Sequence, residues 1–403
     1  MKVFRRKENV VKALLIIGVA VLFAAAGTLA YAAQEIRDWH GLHNIRFDGN
    51  SDYILMNDLD QNTAGYADYN SGAGWQTIHG FGGTFDGDGH VIKGLTINRP
   101  SSAYQGLFHG SASPTITRVG LEDVDITGAS YTGALVTETW GTTSISEVYV
   151  TGTVTGTSSY TGGLVGYLYL ADGISDSYSM ADVSATSAVG GLVGIAGGGV
   201  SADAVTNSYA AGAVSGGSSV GGLVGLPIAN PMAENSYYDT TVSGQSGLNG
   251  GAIGYTTTEM YGDTIYDAGG WDLDNTWVAR GDNYPVLEWV LRRWYELAFE
   301  DWGFSYTAAD VDALVALVRG GVEANYTMSD GTPAVYYPGE IPGSEGYVPG
   351  DFYQDGNYSW LISGSGTRFG SDGPENVPEL PPGTMQMMVL GLSGVVARFR
   401  RRR

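Results

Sequence analysis

Over residues 100–255 short apolar runs alternate with Ser, Thr and Asn, and glycines interrupt the runs at regular distances. Apolar residues at every second position mark half-buried strands, and glycine marks corners that need a positive φ or a close backbone approach. The runs repeat. Tyr160-Thr161-Gly162-Gly163-Leu164-Val165-Gly166 recurs as Val189-Gly190-Gly191-Leu192-Val193-Gly194 and as Val220-Gly221-Gly222-Leu223-Val224-Gly225. Tyr131-Thr132-Gly133-Ala134-Leu135-Val136 and Gly250-Gly251-Ala252-Ile253-Gly254 are degenerate copies, and Gly106-Leu107-Phe108 is an earlier one. This alignment stacks Leu107, Leu135, Leu164, Leu192, Leu223 and Ala252, with Ile253 taking over the packing in the last copy.

A second track keeps the same period. Ile145-Ser146-Glu147-Val148-Tyr149 matches Ile174-Ser175-Asp176-Ser177-Tyr178, Val205-Thr206-Asn207-Ser208-Tyr209 and Ala233-Glu234-Asn235-Ser236-Tyr237. A valine follows each: Val154, Val183, Val214, Val242. The period of about 28 to 31 residues falls where solenoids lie. One unit of two or three short strands cannot bury its own apolar face, but a stack of units makes a continuous core. The expected fold is all-β, a parallel β-helix with Leu, Val and Tyr in ladders. A β-propeller is the second choice, because its blades usually take ~40–50 residues.

This track resembles the GLUG repeat of large secreted and surface bacterial proteins, over residues 34–288. Ile36-Arg37-Asp38-Trp39-His40 and Tyr53-Ile54-Leu55-Met56-Asn57-Asp58-Leu59-Asp60 look like the family's opening strands. Trp75-Gln76-Thr77-Ile78 and the run Gly82 to Ile92 look like its first turns. Tyr255 to Met260, Trp271-Asp272, Trp277 and Tyr284-Pro285-Val286-Leu287 look like its closing segment. The resemblance implies export and surface exposure, and no reaction.

Residues 289–376 read as a helical cap followed by a Gly/Pro/Tyr-rich spacer or small β-element. Leu287 to Glu300 suits a helix closing an open solenoid end. Thr307, with Asp310 three residues on, opens a second helix in the manner of a capping box.

The two ends read as addresses. Residues 1–33 have a basic start (Lys2, Arg5, Arg6, Lys7, Lys12), the apolar run Ala13 to Ala26, and a small-x-small cleavage pattern at Ala30 and Ala32. That is a signal peptide, expected as a helix and a substrate of signal peptidase. Residues 377–403 carry Val377-Pro378-Glu379, a mostly apolar stretch Thr384 to Ala397, and the cluster Arg398, Arg400, Arg401, Arg402 and Arg403. The apolar stretch is short for a ~20-residue span, so a short hydrophobic helix in transient membrane contact is expected. This end resembles the PEP-CTERM sorting signal, which implies processing by an exosortase-like enzyme. Leu380 stands where the family pattern has its second proline.

Charge and chemistry sharpen the picture. The formal net charge is -22, and beyond residue 33 the chain has 15 Lys/Arg against 41 Asp/Glu. Such a surface repels nucleic acid and anionic membranes. There is no cysteine, so disulfides and thiolate metal sites are excluded. Residues 119–279 contain no Lys, Arg or His, which removes the cationic base and arginine clamp of a polysaccharide lyase. The acids are scattered, and no pair of adjacent aspartates suggests a glycosidase. Asp86-Gly87-Asp88-Gly89-His90 offers oxygen ligands for Ca2+, but reads better as an Asp-Gly turn, since EF-hand spacing is missing. Asp58-Leu59-Asp60 and Asp272-Leu273-Asp274 are weaker acidic groups. His40, His43, His79, His90 and His109 have no zinc-type spacing. The column Tyr149, Tyr178, Tyr209 and Tyr237 is either packing on the stack or a sugar-stacking stripe.

No catalytic, cofactor-binding or metal residue is therefore assigned. The expectation is a non-enzymatic exported surface or matrix protein, in adhesion or in biofilm and exopolysaccharide structure, with extracellular polysaccharide or surface proteins as partners. The alternative is a solenoid that binds or cleaves exopolysaccharide.

Overall fold

The two tracks of the repeat fold into two parallel sheets, as their alternation requires. The computed structural model describes residues 33–110, 113–169, 173–197, 204–228, 232–246, 250–280, 283–302, 305–320, 324–329, 331, 333–336, 352–355, 358–362 and 367–369. The glycine-rich track supplies a six-stranded sheet: Ile78–Phe81, Phe108–Gly110, Val136–Glu138, Val165–Tyr169, Val193–Gly197 and Val224–Pro227. The second track belongs to an 18-stranded sheet. Each strand pairs in parallel with its equivalent one turn on, so Phe85, Ile116, Ile145, Ile174, Val205 and Ala233 form one column. Ile97, Ile126, Val154, Val183 and Val214 form another. The result is a parallel β-solenoid with one turn per strand of the six-stranded sheet.

The leucine ladder is present as aligned. Leu135 N–H donates to Leu164 O, Leu164 to Leu192 and Leu192 to Leu223, at 2.9–3.0 Å. All four, with Leu107, are fully buried. Removing one leucine of such a column leaves a cavity the rungs above and below cannot fill, a loss of about 2–5 kcal/mol. The paired glycines have a steric cause. A Cβ on Gly162 or Gly190 would stand 2.2 or 2.0 Å from the carbonyl oxygen of Val165 or Val193.

The sixth copy departs from the alignment. Ile253–Tyr255 pairs with Tyr237–Asp239 of the tyrosine track, not with the glycine-rich sheet. Ala252 is buried, but Ile253 is exposed. The cause is local: the Asp239 carboxylate accepts from Thr241 N–H and Val242 N–H at 2.7 and 2.9 Å and starts helix Thr240–Ser243. That helix turns the chain away before a further valine can stack, and Val242 lies exposed on it.

The cap also differs from expectation. Helix Glu288–Trp302 does not close an open end of the solenoid. It lies along its side, with Arg293 reaching Asp58 and Trp289 reaching Glu147. It shares a separate core with helix Ala308–Gly320 through Leu291, Tyr295, Phe299, Leu314 and Val318. The second helix starts as the sequence indicated: Asp310 accepts from Thr307 N–H and Oγ1–H at 2.8 and 2.9 Å. The expected spacer contains a five-stranded antiparallel sheet, in the order Ala324–Thr327, Pro333–Tyr336, Thr367–Phe369, Tyr358–Ile362, Phe352–Asp355.

The processing residues Ala30, Ala32, Val377, Pro378, Glu379 and Arg400 to Arg403 lie outside the described residues, as do both expected terminal helices. Among the described residues no helix is long and apolar enough to cross a membrane.

Candidate functional site

Two columns of tyrosine run up the solenoid, and they differ in every respect but spacing. The first is the one visible in the sequence. Tyr149, Tyr178, Tyr209 and Tyr237 stand in strict register. Their rings stack at 5.1 Å between Tyr149 and Tyr178, and at 4.9 Å between Tyr178 and Tyr209. All four are buried. The cover is the closing segment, which folds back along the column. Trp271 stacks on Tyr237 at 5.7 Å, Trp277 leans on Tyr178 and Tyr209 at 6.0 and 5.9 Å, and Trp289 meets Tyr149 at 5.5 Å.

Each indole of this strap is also tied to the corner of a rung. Trp271 Nε1–H donates to Asn235 O at 2.7 Å, Trp277 to Asp176 Oδ1 at 3.1 Å and Trp289 to Glu147 O at 3.2 Å. These acceptors are equivalent positions of three repeats, all held at positive φ. Three of the four phenols beneath donate hydrogen bonds: Tyr149 to Glu122, Tyr209 to Pro285 O and Tyr237 to Ile265 O. A sealed, hydrogen-bonded column has no ring face left for a sugar. The sugar-stacking reading of this column is thus overturned, and packing explains it.

The strap ends in a charge latch. Arg293 Nη2 lies 2.6 Å from Asp58 Oδ2, and Asp58 also takes bonds from His90 and Val91 N–H at 3.3 and 3.0 Å. Burial by itself would raise the Asp58 pKa. The His90 hydrogen bond and the Arg293 guanidinium overcome it and hold the carboxyl well below the usual carboxylate range.

The second column was not recognised as a column in the sequence. Tyr104, Tyr131 and Tyr160 occupy the position two residues before the first repeat glycine in three successive copies. Their rings lie 4.8 Å apart from Tyr104 to Tyr131 and 4.9 Å from Tyr131 to Tyr160. Tyr167 sits 6.1 and 6.4 Å from Tyr131 and Tyr160, Tyr169 is 5.4 Å beyond it, and Trp140 packs on Tyr169 at 4.7 Å. These rings are half-buried, and the Trp140 indole is 43% exposed.

This outer row is strained. Tyr104, Tyr131 and Tyr160 have φ of 61°, 56° and 66°. The left-handed region costs an L-residue roughly 1–2 kcal/mol, and is unusual for a bulky side chain. Stacking of neighbouring rings returns about 0.5–1.5 kcal/mol per pair, so the row adds little net stability. The next two repeats place Ala188 and Ser219 at the same strained position. A large ring is therefore not needed to make the turn. The strain thus belongs to the corner of the rung, since Ala188 and Ser219 carry it too, and the half-open ring is an addition that the turn does not require.

Glu138 lies among these rings and is buried. Burial raises its pKa, against a hydrogen bond from Trp140. His109 closes one end of the row, its ring 4.7 Å from Tyr104 and its Nδ1 2.8 Å from Thr137 Oγ1. The face therefore combines apolar ring edges, a row of phenol hydroxyls, one exposed indole and one carboxyl. That mixture suits a ligand that is amphipathic itself.

The other sequence candidates are engaged structurally. Asp86 and Asp88 both bind the Arg118 guanidinium, at 2.8 and 3.1 Å. Their glycine-rich segment is a bulge inside strand Thr84–Lys93, where Asp88 and Gly89 take positive φ, and not a turn between two strands. Asp60 and Asp272 each hold a local turn through backbone N–H groups. His40 pairs with Asp68, His43 stacks on Tyr69, and the rings of His79 and His109 lie 5.0 Å apart. Among the described residues no three His, Asp or Glu side chains converge as metal ligands.

No family model matches the chain. A segment of 115 residues, 28% of the chain, is 37% identical to halomucin of Haloquadratum walsbyi, and spans about 1% of that protein's length. A solved structure assigned by name to the immunoglobulin A1 proteases, from Bacteroides ovatus, superposes with a TM-score of 0.45 at 21% identity, over 64% of this chain and 92% of that one.

Proposed function

We propose that this protein is an exported, non-enzymatic surface solenoid that holds extracellular polysaccharide, in adhesion or in a biofilm matrix. The observation that carries the reading is the outer aromatic row of Tyr104, Tyr131, Tyr160, Tyr167, Tyr169 and Trp140, contiguous along the solenoid and left half-open. Sugars have apolar C–H faces and polar rims. Indole and phenol edges with free hydroxyls match both. The absence of Lys, Arg and His from residues 119–279 disfavours a polyanionic glycan, so a neutral polysaccharide is the expected ligand. Signal peptidase acting at Ala30 and Ala32, and an exosortase-like enzyme acting at Val377-Pro378-Glu379 before the Arg400 to Arg403 cluster, are the proposed processing partners. GLUG-type surface proteins are the family in which this reading places the chain.

The test is a polysaccharide panel on the full chain, scored together for binding and for release of reducing ends. Neutral glycans should bind without cleavage, and replacing Trp140 and Tyr169 together by alanine should weaken binding roughly tenfold, a loss of about 1.4 kcal/mol. Preference for polyanions, or binding indifferent to that double change, would overturn the reading. The cleaving alternative would draw on Glu138, whose raised pKa suits a general acid. A glycosidase also needs a second carboxyl within ~5–9.5 Å of that acid. Product release would favour that alternative.

A further inference from the structure

We propose that the outer tyrosine row is a site of oxidative crosslinking, in which Tyr131 is joined to Tyr160 or Tyr104 of an adjacent turn as dityrosine. The chemistry needs a peroxide as oxidant, acting through a haem peroxidase. Each of two phenols gives up one electron and one proton. The two phenoxyl radicals couple through ring carbons ortho to oxygen, and the ortho hydrogens move to the oxygens, restoring both phenols. Two hydrogen atoms leave the protein for each carbon–carbon bond formed, and one hydrogen peroxide becomes two waters.

Three observations single out this row. The ring centres stand 4.8 and 4.9 Å apart; Tyr104 stacks on Tyr131 at 11°, whereas the 43° tilt of Tyr131 against Tyr160 is near a biaryl twist and makes that pair the better placed of the two. The rings are held there by the rungs: Tyr104 N–H donates to Ser130 O at 2.9 Å and Tyr131 N–H to Ser159 O at 3.1 Å. Radical pairs fixed in place need no diffusional encounter, which is worth a large effective concentration. Lastly, the row is open to solvent, whereas the equally spaced column of Tyr149, Tyr178 and Tyr209 is sealed beneath the strap. The chain has no cysteine, so such bonds would be its covalent ties between turns, closing loops from residue 104 to 131 or from 131 to 160.

The inference stands apart from glycan binding, and the test uses no glycan. The full chain in mild detergent is treated with haem peroxidase and hydrogen peroxide across a range of dilutions. Dityrosine fluorescence and peptide mass are then read. The expected result is a crosslinked peptide pair containing Tyr131, lighter by two hydrogens, in a chain that still migrates as a monomer, with a yield per chain independent of dilution. Tyr131→Phe should cut the yield roughly tenfold by removing the fixed partner of both neighbours. Tyr149→Phe should leave it unchanged. Both variants keep the ring, Tyr149→Phe losing the hydroxyl that donates to Glu122, and circular dichroism checks that each is folded. The crosslinked protein should melt roughly 5–10 °C higher, as closing a loop of this length implies. Crosslinks only between chains, a yield that rises with protein concentration, or an unaltered yield in Tyr131→Phe would overturn the proposal.

Discussion

The solenoid carries two tyrosine columns at nearly the same ring spacing, 4.8–4.9 Å for the outer row and 4.9–5.1 Å for the inner one. Rung geometry sets the spacing of both, since neighbouring strands lie ~4.8 Å apart. Everything else follows from what covers them. The inner tyrosines have ordinary backbone angles and are buried, three of their hydroxyls donate hydrogen bonds, and they pack under Trp271, Trp277, Tyr284 and Trp289 of the returning strap. The outer ones sit on strained backbone with one edge in water. Periodic tyrosine on a solenoid therefore does not by itself signal a ligand. The informative sign is an open edge, because the strained corner recurs under Ala188 and Ser219 and so marks the rung, not the ring.

The largest expected effect lies on the covered side. Trp277 is fully buried, touches Tyr178 and Tyr209, and donates to Asp176. Trp277→Ala should destabilise the protein by about 3–5 kcal/mol in chemical denaturation. Trp140→Ala, on the open row, should change stability by about 0.5 kcal/mol or less while weakening glycan binding. Equal losses at the two sites would dissolve the distinction between a sealed column and an open one.

Next comes the latch that ends the strap. Arg293→Ala strands the Asp58 carboxylate, which is only partly exposed, and should cost about 2–3 kcal/mol, a figure reduced for that exposure. Adding Asp58→Asn should recover part of the loss, because the uncompensated charge is gone. The pH sign follows from the depressed Asp58 pKa. The latch stabilises fully above the ordinary carboxylate value of 3.8 and weakens as pH falls below it, toward the lower folded value. Acid titration of Trp fluorescence, with Arg293→Ala as the reference, reads this out. A wild-type curve with the variant's shape would show that the strap is held by its indoles alone.

How much of this the sequence disclosed can be judged position by position. The leucine column was legible because Leu164, Leu192 and Leu223 each directly follow a glycine pair, and the same burial acts on every rung. The inner tyrosines were legible for the same reason, but their cover was not. Nothing in Trp271, Trp277 or Trp289 records that the chain doubles back over them, since that contact joins residues up to 142 positions apart. The lateral placement of helix Glu288–Trp302 was hidden for the same cause: an apolar helix stripe fits an end and a flank equally well. The diversion at Gly250 to Gly254 was set by the Asp239 cap, a polar contact that hydrophobic alignment does not weigh. The outer row left a signal, tyrosine at one repeat position three times running, but its strain appears only in the backbone angles.

Alkaline titration separates the columns with a smaller effect. Burial, followed by the charge of Tyr255, pushes Tyr237 up to about 12. Burial raises Tyr178 and Tyr209 further still, while the outer Tyr104 and Tyr131, also raised by burial, remain half-open. A raised phenol stabilises the fold below the ordinary value of 10, and that contribution is lost as pH climbs through the folded value. Phenolate absorbance should thus rise in two waves, an outer one that is rapid and reversible and an inner one that accompanies unfolding near pH 12. A single wave would mean that the strap opens freely enough for both columns to share one solvent.

The smallest expected change in stability is the most discriminating. Tyr131→Gly removes a ring that stacks on Tyr104 and Tyr160, at about 0.5–1.5 kcal/mol per pair, but it also frees a backbone held at φ 56°. Relief of the left-handed strain is worth roughly 1–2 kcal/mol, so the net change should stay within about 1 kcal/mol of zero. At Tyr149, where φ is ordinary and the ring is buried, the same substitution has no strain to relieve and should cost about 3–5 kcal/mol. The comparison is made by urea denaturation of both variants, with glycan binding and dityrosine yield measured alongside. Loss of binding or crosslinking in Tyr131→Gly without loss of stability would assign the outer ring to function. A large destabilisation would instead make it a part of the core, and the strain would then need a structural explanation.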